Sequence, residues 1–499
     1  MRRRREKTLQ FGSGTELGVR RESAIPLSSQ VRSGEHRLMA AAKWTVWVEA
    51  RQPDGSVERV EIGAIERDLS SPGPDDLGLR LAEAKDLLCK LQSHLAQEQV
   101  RLVGAAERNC CGCGSKRSLH DYRQRKVATL FGYVTLRQPR WRACACDRSG
   151  GSRKPEQVRR ESRTSTIIGA RATPEFVRVQ AELGARLSFR EAARVMNLLL
   201  PAGKATNHTG VRRRLARTAE RLQALDGSSP HRMSRAKGGP MVVSLDGAHI
   251  RAVPGLQVRH FEVTVGRVET EQRPARHFAV APNVQATRPG TIGNALRAQG
   301  WLPGRDVVVL SDGDPALAES VRSAAGDGVT HILDWFHISM RVRHVEQALA
   351  GLLGSDLEHK GPLRYAEDDV VRLRHLIWNG YGKEASRALR NIRYMAGNAI
   401  WLNGHSGKAR IERFVQLARE LETYLNLNAM ALVDYGQRYR AGLRIATSGA
   451  ESVVNNLVNA RMNKQQQMRW SPQGAHRLLQ VRAAVIDGRL NAGRLNVAA

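Results

Sequence analysis

Two aspartates stand where an apolar run of the sequence ends and a glycine follows. Asp246 comes directly after residues 242–245, and Asp312 comes after residues 307–311. Short apolar runs rich in β-branched residues predict buried strands, and neighbouring strands of a covered sheet would bring both carboxylates to one rim. Carboxylate oxygens are the ligands that Mg²⁺ prefers. The pair therefore predicts a rim at which a divalent cation and a phosphodiester could meet.

Three further acidic residues stand at the end of a predicted strand or at the start of a predicted helix. Asp334 ends the apolar run 330–333 and is followed three residues later by His337. Asp314 precedes Pro315, which predicts a helix N-cap rather than a ligand. Glu451 is the last residue of a Ser-x-x-Glu pattern, a capping box that by itself explains the glutamate without any chemistry.

The elements around these residues predict a multidomain α/β protein. Four strands are expected at 242–245, 258–268, 276–280 and 307–310, with a helix at 292–299 and another strand at 330–333. Residues 338–447 have a nearly continuous helical pattern, which predicts an all-α insertion. Its core candidates are Trp378, Trp401, Phe414 and Leu417.

Two cysteine pairs flank a hairpin-like segment at 129–136. Their members are Cys110, Cys113, Cys144 and Cys146. Paired cysteines on either side of a hairpin are typical of a zinc ribbon, although the second pair has one intervening residue instead of two. Cys111 competes as a ligand, and His120 could substitute. Unbound buried thiols and a redox site remain alternatives, and Cys89, within a helical pattern, is expected in the core.

The strong positive charge predicts a polyanionic partner, foremost nucleic acid. The 499 residues include 79 Lys and Arg against 48 Asp and Glu, a net charge of +31, although arginine bias from a GC-rich genome is an alternative cause. Helices are expected to begin near Pro174, Ser188 and Asn207, and a basic third helix would suit a helix-turn-helix module. A helical linker with a solvated arginine face is the alternative. The candidate DNA-binding residues are Arg212, Arg213, Arg214, Arg217, Arg461, Lys464 and Arg469.

As a set, these motifs resemble the DDE transposases of bacterial insertion sequences. The strings Ser-Leu-Asp-Gly-Ala (244–248), Asp-Trp-Phe-His (334–337) and Arg-Trp-Ser-Pro-Gln-Gly (469–474) are most similar to the ISKra-type family. The resemblance covers about residues 44–488. It implies a ribonuclease H-like core with Asp246, Asp312 and Glu451 as an acidic triad, binding two Mg²⁺ or Mn²⁺ ions. Asp334 and His337 match the family's Asp-x-x-His and are expected to support the site.

The function implied is metal-dependent cleavage and strand transfer of insertion-sequence DNA, by a homodimer or higher oligomer bound to inverted-repeat ends and target DNA. A metal-dependent nuclease without strand transfer, a transposase-derived DNA-binding regulator and a structural basic protein are the alternatives. No apolar stretch approaches the roughly 18 residues of a membrane span, so a cytoplasmic, nucleoid-associated protein without a membrane partner is expected.

The sequence predicts six regions. They are a disordered basic tail (1–40), a strand-helix region (41–105), a zinc-ribbon-like segment (106–150), a basic linker with a helix-turn-helix-like domain (151–235), a ribonuclease H-like core (236–337 and 445–490) and an all-helical insertion (338–444).

Overall fold

The chain divides into two compact units, which are described separately. One comprises residues 1–184, 189–214 and 493–499, and the other residues 185–188 and 215–492. The computed structural model describes residues 8–11, 15–22, 41–51, 55–70, 73–110, 112–142, 144, 171–201, 203, 206–228, 239–282, 284, 286–446, 453–463 and 468–491.

The first unit begins with an antiparallel four-stranded sheet in the order β1-β2-β3-β4. Its strands are β1 (Thr8–Phe11), β2 (Thr15–Glu22), β3 (Ala41–Arg51) and β4 (Val57–Asp68). Strands β3 and β4 lie within the predicted strand-helix region (41–105). The expectation of a disordered tail is wrong for β1 and β2, because β2 pairs with β3 along its whole length.

Helix α1 (Leu81–Ala106) and the hairpin of β5 (Leu119–Thr129) and β6 (Gly132–Trp141) follow. The hairpin confirms the predicted one between the cysteine pairs. Gly132 has φ 103°, a conformation that favours glycine. Residue 144 is described, whereas Cys111, Cys146 and the basic linker 151–170 lie outside the described residues.

Three helices come next, as predicted: α2 (Pro174–Arg186), α3 (Phe189–Leu199) and α4 (His208–Ser228). The Asn207 side chain caps α4, since its Oδ1 accepts a 2.7 Å hydrogen bond from the Gly210 amide. The apolar face of α4 is buried and consists of Val211, Leu215, Ala219 and Leu222.

The second unit is built around a mixed five-stranded sheet in the order β11-β10-β7-β8-β9. Its strands are β7 (Met241–Arg251), β8 (His260–Thr270), β9 (Arg273–Val280), β10 (Val307–Ser311) and β11 (Val329–Leu333). The strands β7, β8 and β9 are antiparallel, whereas β10 is parallel to both β7 and β11. All five were predicted from the sequence.

Helices cover both faces of this sheet. Helices α5 (Arg288–Ala298) and α6 (Pro315–Ala325) pack on the face formed by Met241, Val243 and Leu245 of β7. The opposite face contributes Leu310 and Ile332 to a core shared with the helices that follow the sheet. Alternate residues of a strand point to opposite faces, so the two faces take alternate residues of β7 and β10.

The helical region confirms the predicted all-α segment. It consists of α7 (Trp335–Leu353), α8 (Gly361–Trp378), α9 (Gly382–Asn403), α10 (Lys408–Leu427) and α11 (Tyr435–Arg440). Phe414 is fully buried, and Trp378 and Leu417 pack against the core. Trp401 was expected in the core, but it is 82% exposed because it lies on the outer face of α9.

The chain then forms a π-helical segment (Asn455–Asn463) and helix α12 (Pro472–Ile486), which packs on β9. Within the described ranges, no helix combines the length and the apolar character needed to cross a membrane.

Candidate metal site at the ends of parallel strands

Asp246 and Asp312 lie level with each other at the edge of the five-stranded sheet. The parallel register of β7 and β10 ends with the pair Ser244–Leu310, and each aspartate stands two residues further along the chain, Asp246 still within β7 and Asp312 directly after β10. Adjacent strands are about 4.8 Å apart. The sequence prediction that two neighbouring strands deliver two aspartates to one rim is confirmed.

Asp334 is level with the same pair on the next strand. The register of β10 and β11 pairs Ser311 with Leu333, and the following residues are Asp312 and Asp334. The amide of Asp334 donates a 2.9 Å hydrogen bond to the carbonyl oxygen of Ser311, so the alignment continues past the end of β11. Asp246 within β7, Asp312 directly after β10 and Asp334 directly after β11 thus lie at one level across three neighbouring parallel strands.

The alternation of side chains sets the face on which these carboxylates lie. Val242 and Leu310 belong to the core shared with the helical region, and Asp246 and Asp312 are an even number of residues further along the same strands. The two carboxylates therefore lie on the face of the sheet that the helical region covers.

The Asp246 carboxyl is only partly exposed, and burial is the main influence on its proton affinity. The pKa of Asp246 is raised to about 6, mainly by burial and to a smaller extent by the negative charges of Asp312 and Asp334. The charge of His337 and the amide of Gly247, which donates a 2.7 Å hydrogen bond to Oδ1, act in the opposite direction. A buried carboxylate with acidic neighbours is stabilised by a bound cation.

Asp334 is fully buried, and both of its carboxylate oxygens lie near groups of α7. Its Oδ1 accepts a 2.9 Å hydrogen bond from the Phe336 amide, which makes it the N-cap of α7. Its Oδ2 lies 3.7 Å from Nε2 of His337, a side chain that is 26% exposed. Both carboxylate oxygens therefore face α7. The arrangement holds His337 close enough for its charge to act on Asp246.

Residues of helix α10 fix the turn that carries Asp312. The phenol of Tyr424 donates a 2.8 Å hydrogen bond to the Asp312 carbonyl oxygen. At Gly313, φ is 96°, and an added β carbon would lie 2.9 Å from both amide atoms of Asn428. The Asn428 side chain is itself held, since its Nδ2 donates a 2.9 Å hydrogen bond to the Tyr424 carbonyl oxygen. Next to this turn, Asp314 caps α6 through a 2.9 Å hydrogen bond from the Ala316 amide, as predicted.

An aromatic cluster fixes the start of α7. The Trp335 ring contacts Trp378 edge-on with centroids 4.8 Å apart and lies 5.1 Å from the Tyr435 ring. Tyr435 is fully buried and donates a 2.8 Å hydrogen bond to the carbonyl oxygen of Leu333. Asp334 lies between Leu333 and Trp335. These contacts therefore fix the backbone on both sides of Asp334.

Glu451, the predicted third acid, lies outside the described residues, but the chain on both sides of it is described. Upstream, the Ile445 carbonyl oxygen accepts a 3.1 Å hydrogen bond from the Trp335 amide. Downstream, Asn463 donates a 2.9 Å hydrogen bond to the His249 carbonyl oxygen on β7. Glu451 is the sixth residue after Ile445, so the chain between them can span at most about 20 Å.

Three cysteines form a second candidate metal site. The ligand atoms of Cys110, Cys113 and Cys144 lie within 4.8 Å of one another, and the Cys113 and Cys144 sulfurs are 3.4 Å apart. The backbone amides of Cys113 and then Gly112 lower the pKa of the Cys110 thiol, which favours the thiolate that binds metal. Within the described ranges this is the only set of three or more potential ligands that meets so closely. The cluster could hold a metal ion.

The candidate DNA-binding residues differ in their surroundings. On α4, Arg212, Arg213 and Arg217 are exposed, whereas the Arg214 guanidinium lies 4.8 Å from the Phe176 ring centroid. Arg469 is exposed, and Lys464 lies outside the described residues.

Arg461 does not fit the expectation that it contacts DNA. It is fully buried, with its guanidinium 5.4 Å from the Trp470 ring centroid. Burial lowers the pKa of Arg461 to about 10. Its side chain packs inside the protein, so it has no surface to present to a phosphate.

Sequence reasoning missed the residues that α7 and α10 contribute. Tyr424 and Asn428 stand more than one hundred residues from Asp312, and an amphipathic helical pattern gives no signal for a hydrogen bond to a distant turn. Arg341 was missed as well, although its position four residues after His337 puts it on the same side of α7.

The sequence matches no protein-family model, and no curated protein is significantly similar to it. The geometry of the two sites therefore carries the functional argument.

Proposed function

We propose that the chain is a DNA transposase that cuts the ends of an insertion sequence and joins them to target DNA through a metal-dependent site formed by Asp246, Asp312 and Glu451. The observation that carries the proposal is the alignment of Asp246, within β7, with Asp312, directly after the adjacent parallel strand β10. Two carboxylates at one sheet edge, with burial that raises the pKa of one of them, suit a hard divalent cation.

A ribonuclease H-like core is part of this proposal. The mixed sheet, in which three antiparallel strands precede two parallel ones, supports it. The helical region between β11 and the π-helical segment corresponds to the insertion that separates the last acid from the others. The described flanks of Glu451 contact Trp335 and His249, which is compatible with a third ligand from Glu451.

Each residue has a distinct role in the proposed reaction. Bound Mg²⁺ or Mn²⁺ would supply Lewis acidity toward the attacking and leaving oxygens of an in-line displacement. Asp246, Asp312 and Glu451 would hold two such ions. Asp334 orients His337, whose partly exposed imidazole can hydrogen-bond to the DNA strand or to the attacking hydroxyl.

The cysteine cluster is proposed as a structural zinc site, with Cys146 as the fourth ligand. Three sulfurs that converge beside a β-hairpin match the tetrahedral thiolate chemistry of Zn²⁺. The exposed arginines of α4 and Arg469 would neutralise phosphates of the DNA, and Arg461 is left out of this set because it is buried. Joining two DNA ends further implies a homodimer or a higher oligomer on DNA.

The experiment uses the full chain and labelled DNA carrying the inverted repeats that flank its gene. With Mg²⁺ or Mn²⁺, the wild type is expected to release a 3′-hydroxyl end and form joined products. Asp246→Asn, Asp312→Asn and Glu451→Gln should each abolish cleavage but keep DNA binding. Asp314→Asn is the matched control, because asparagine also caps helices and should leave cleavage unchanged.

The same assay separates the alternatives. Cleavage without joined product would indicate a metal-dependent nuclease. Metal-independent binding without cleavage would indicate a DNA-binding regulator. Cleavage at the wild-type rate by the three triad variants would overturn the assignment of the site.

A further inference from the structure

Arg341 is a cation near Asp312 and has no role in the reaction proposed above. It lies on α7, four residues after His337, and therefore on the same side of the helix. Its guanidinium carbon is 4.3 Å from the centroid of the Tyr424 ring. Tyr424 in turn donates its hydrogen bond to the carbonyl oxygen of Asp312. A continuous set of contacts thus joins Arg341 to the turn that carries the second aspartate.

Electrostatics supports this proximity. After burial, the charge of Arg341 is the largest influence on the Tyr424 phenol, and the charges of Asp312 and Asp334 act on the same group in the opposite direction. Burial raises the pKa of Tyr424, so the phenol stays protonated and remains a donor to Asp312 throughout the pH range of DNA chemistry. The arginine and the two aspartates therefore surround one tyrosine.

The guanidinium is not neutralised by the protein. In the described part of the chain, Arg341 makes no ion pair, and its side chain is exposed. Glu346, the nearest acid along α7, lies 3.3 Å from Arg374 of α8 instead. A cation beside carboxylates that does not bond to them is available to an anion that arrives from solvent.

The geometry suits a phosphate in particular. The contact with the Tyr424 ring holds the guanidinium, and its five N–H donors form a rigid fork that can bind two oxygens of one phosphate. Lysine carries the same charge without this fork. The DNA backbone is the phosphate source that the proposed reaction brings to this rim.

We propose that Arg341, held by Tyr424, binds a backbone phosphate of the DNA strand that is cut, next to the phosphodiester that reacts at Asp246 and Asp312. This inference rests on the proposed function and adds a substrate-binding residue to it. Tyr424 is a positioning residue, because it acts on the DNA through Arg341 and on Asp312 through its hydrogen bond.

The variants are Arg341→Ala, Arg341→Lys, Tyr424→Phe and the control Arg343→Ala, an exposed arginine two residues further along α7. Binding is measured with uncleaved end DNA in Ca²⁺ over a range of salt concentrations, and cleavage in Mg²⁺ under single-turnover conditions. Losing one phosphate contact should reduce the slope of log K against log salt by about 0.9. Losing a charge-assisted hydrogen bond should slow cleavage about 10- to 100-fold.

Each variant has its own expected result. Arg341→Ala should reduce both the salt slope of binding and the cleavage rate. Arg341→Lys should keep the wild-type salt slope and recover only part of the cleavage rate. Tyr424→Phe keeps the ring under Arg341 but removes the hydrogen bond to Asp312, so it should keep the slope and lower the rate. Arg343→Ala should match the wild type.

A series of DNA ends, each with one phosphate replaced by an uncharged methylphosphonate, locates the contact. At one position near the cut, the methylphosphonate should lower the DNA affinity of the wild type. The same substitution should not lower the affinity of Arg341→Ala any further, because that variant has already lost the contact. If Arg341→Ala keeps the wild-type slope and rate, the inference is overturned while the proposed function stands. If the wild type never cleaves but Arg341→Ala still loses slope, Arg341 contacts phosphate and the proposed catalytic function fails.

Discussion

The amide group of Asn428 lies so close to Gly313 that a β carbon at Gly313 would be 2.9 Å from its nitrogen and its oxygen. This contact joins the end of α10 to the turn after Asp312. Because Gly313 also has a φ of 96°, only glycine satisfies both constraints. The position of the second aspartate therefore depends on the helical region and not on the sheet alone.

Replacing Gly313 by alanine should destabilise the protein and impair cleavage together. The left-handed backbone costs about 1–2 kcal/mol for a residue with a β carbon, and the displacement of Asn428 adds to this. Gly255→Ala is the control, since Gly255 has φ 93° and nothing within 4 Å of an added β carbon. Differential scanning fluorimetry should show a larger decrease in melting temperature for Gly313→Ala than for Gly255→Ala. Adding Asn428→Ala to Gly313→Ala should restore part of the lost melting temperature. Equal decreases for Gly313→Ala and Gly255→Ala would contradict the contact between Gly313 and Asn428.

The raised pKa of Asp246 predicts a pH-dependent stability of the metal-free protein. Its folded-state pKa of about 6 lies above the value of about 3.9 for an unfolded aspartate. For this direction of shift, the stabilising contribution is present below about pH 4 and is lost as the pH rises through about 6. The shift of about two units corresponds to on the order of 3 kcal/mol.

Asp246→Asn should therefore raise the melting temperature of metal-free protein at pH 8, and the gain should shrink as the pH is lowered to 5. Added Mg²⁺ should stabilise the wild type and have less effect on the variant, because the ion neutralises the Asp246 carboxylate. Asp306→Asn, at an exposed position directly before β10, should change neither result. A variant whose melting temperature follows the wild type at every pH would contradict the burial argument.

Asp334 combines two functions that substitutions can separate. Asparagine can replace it as the N-cap of α7 but removes the negative charge beside His337. Asp334→Asn should therefore keep the melting temperature within a few degrees and slow cleavage. Asp334→Ala should also lose the cap, with a loss of about 1–2 kcal/mol in the free energy of unfolding. If both variants cleave like the wild type, His337 does not depend on Asp334.

The cysteine cluster predicts that removing any one thiolate lowers zinc content. Purified wild type should contain one zinc ion per chain by mass spectrometry, and Cys110→Ser, Cys113→Ser and Cys144→Ser should each lose it. Cys89→Ser is the control, because Cys89 lies in α1 and is not a member of the cluster. A wild type that carries no metal and has freely titratable thiols would support the alternative of unbound cysteines.

Local patterns in the sequence predicted the sheet and its aspartates well. The apolar runs before Asp246 and Asp312 lead directly to the strands, and proline after Asp314 predicted a helix cap that the structure contains. These features depend on residues within about ten positions of one another. The periodicity of apolar residues and the helix-capping patterns are sufficient to detect them.

The contacts that complete the site were not predictable in this way. Tyr424 and Asn428 meet Asp312 and Gly313 only because α10 folds back onto the sheet. The burial of Arg461 and the exposure of Trp401 also contradict what residue type suggests. In each case tertiary packing decides the environment of the side chain, and the local sequence carries no signal for it.

Arg461 and Arg469 provide the last prediction, because one is buried and the other is exposed. Arg461→Ala removes a side chain that packs against Trp470, so it should lower the melting temperature clearly. Arg469→Ala should leave stability nearly unchanged and weaken DNA binding, with a salt slope reduced by about 0.9 for one lost phosphate contact. Thermal unfolding and fluorescence anisotropy at several salt concentrations measure the two effects. If Arg461→Ala stays as stable as the wild type and loses the same salt slope as Arg469→Ala, Arg461 reaches DNA and its burial is not maintained in the complex.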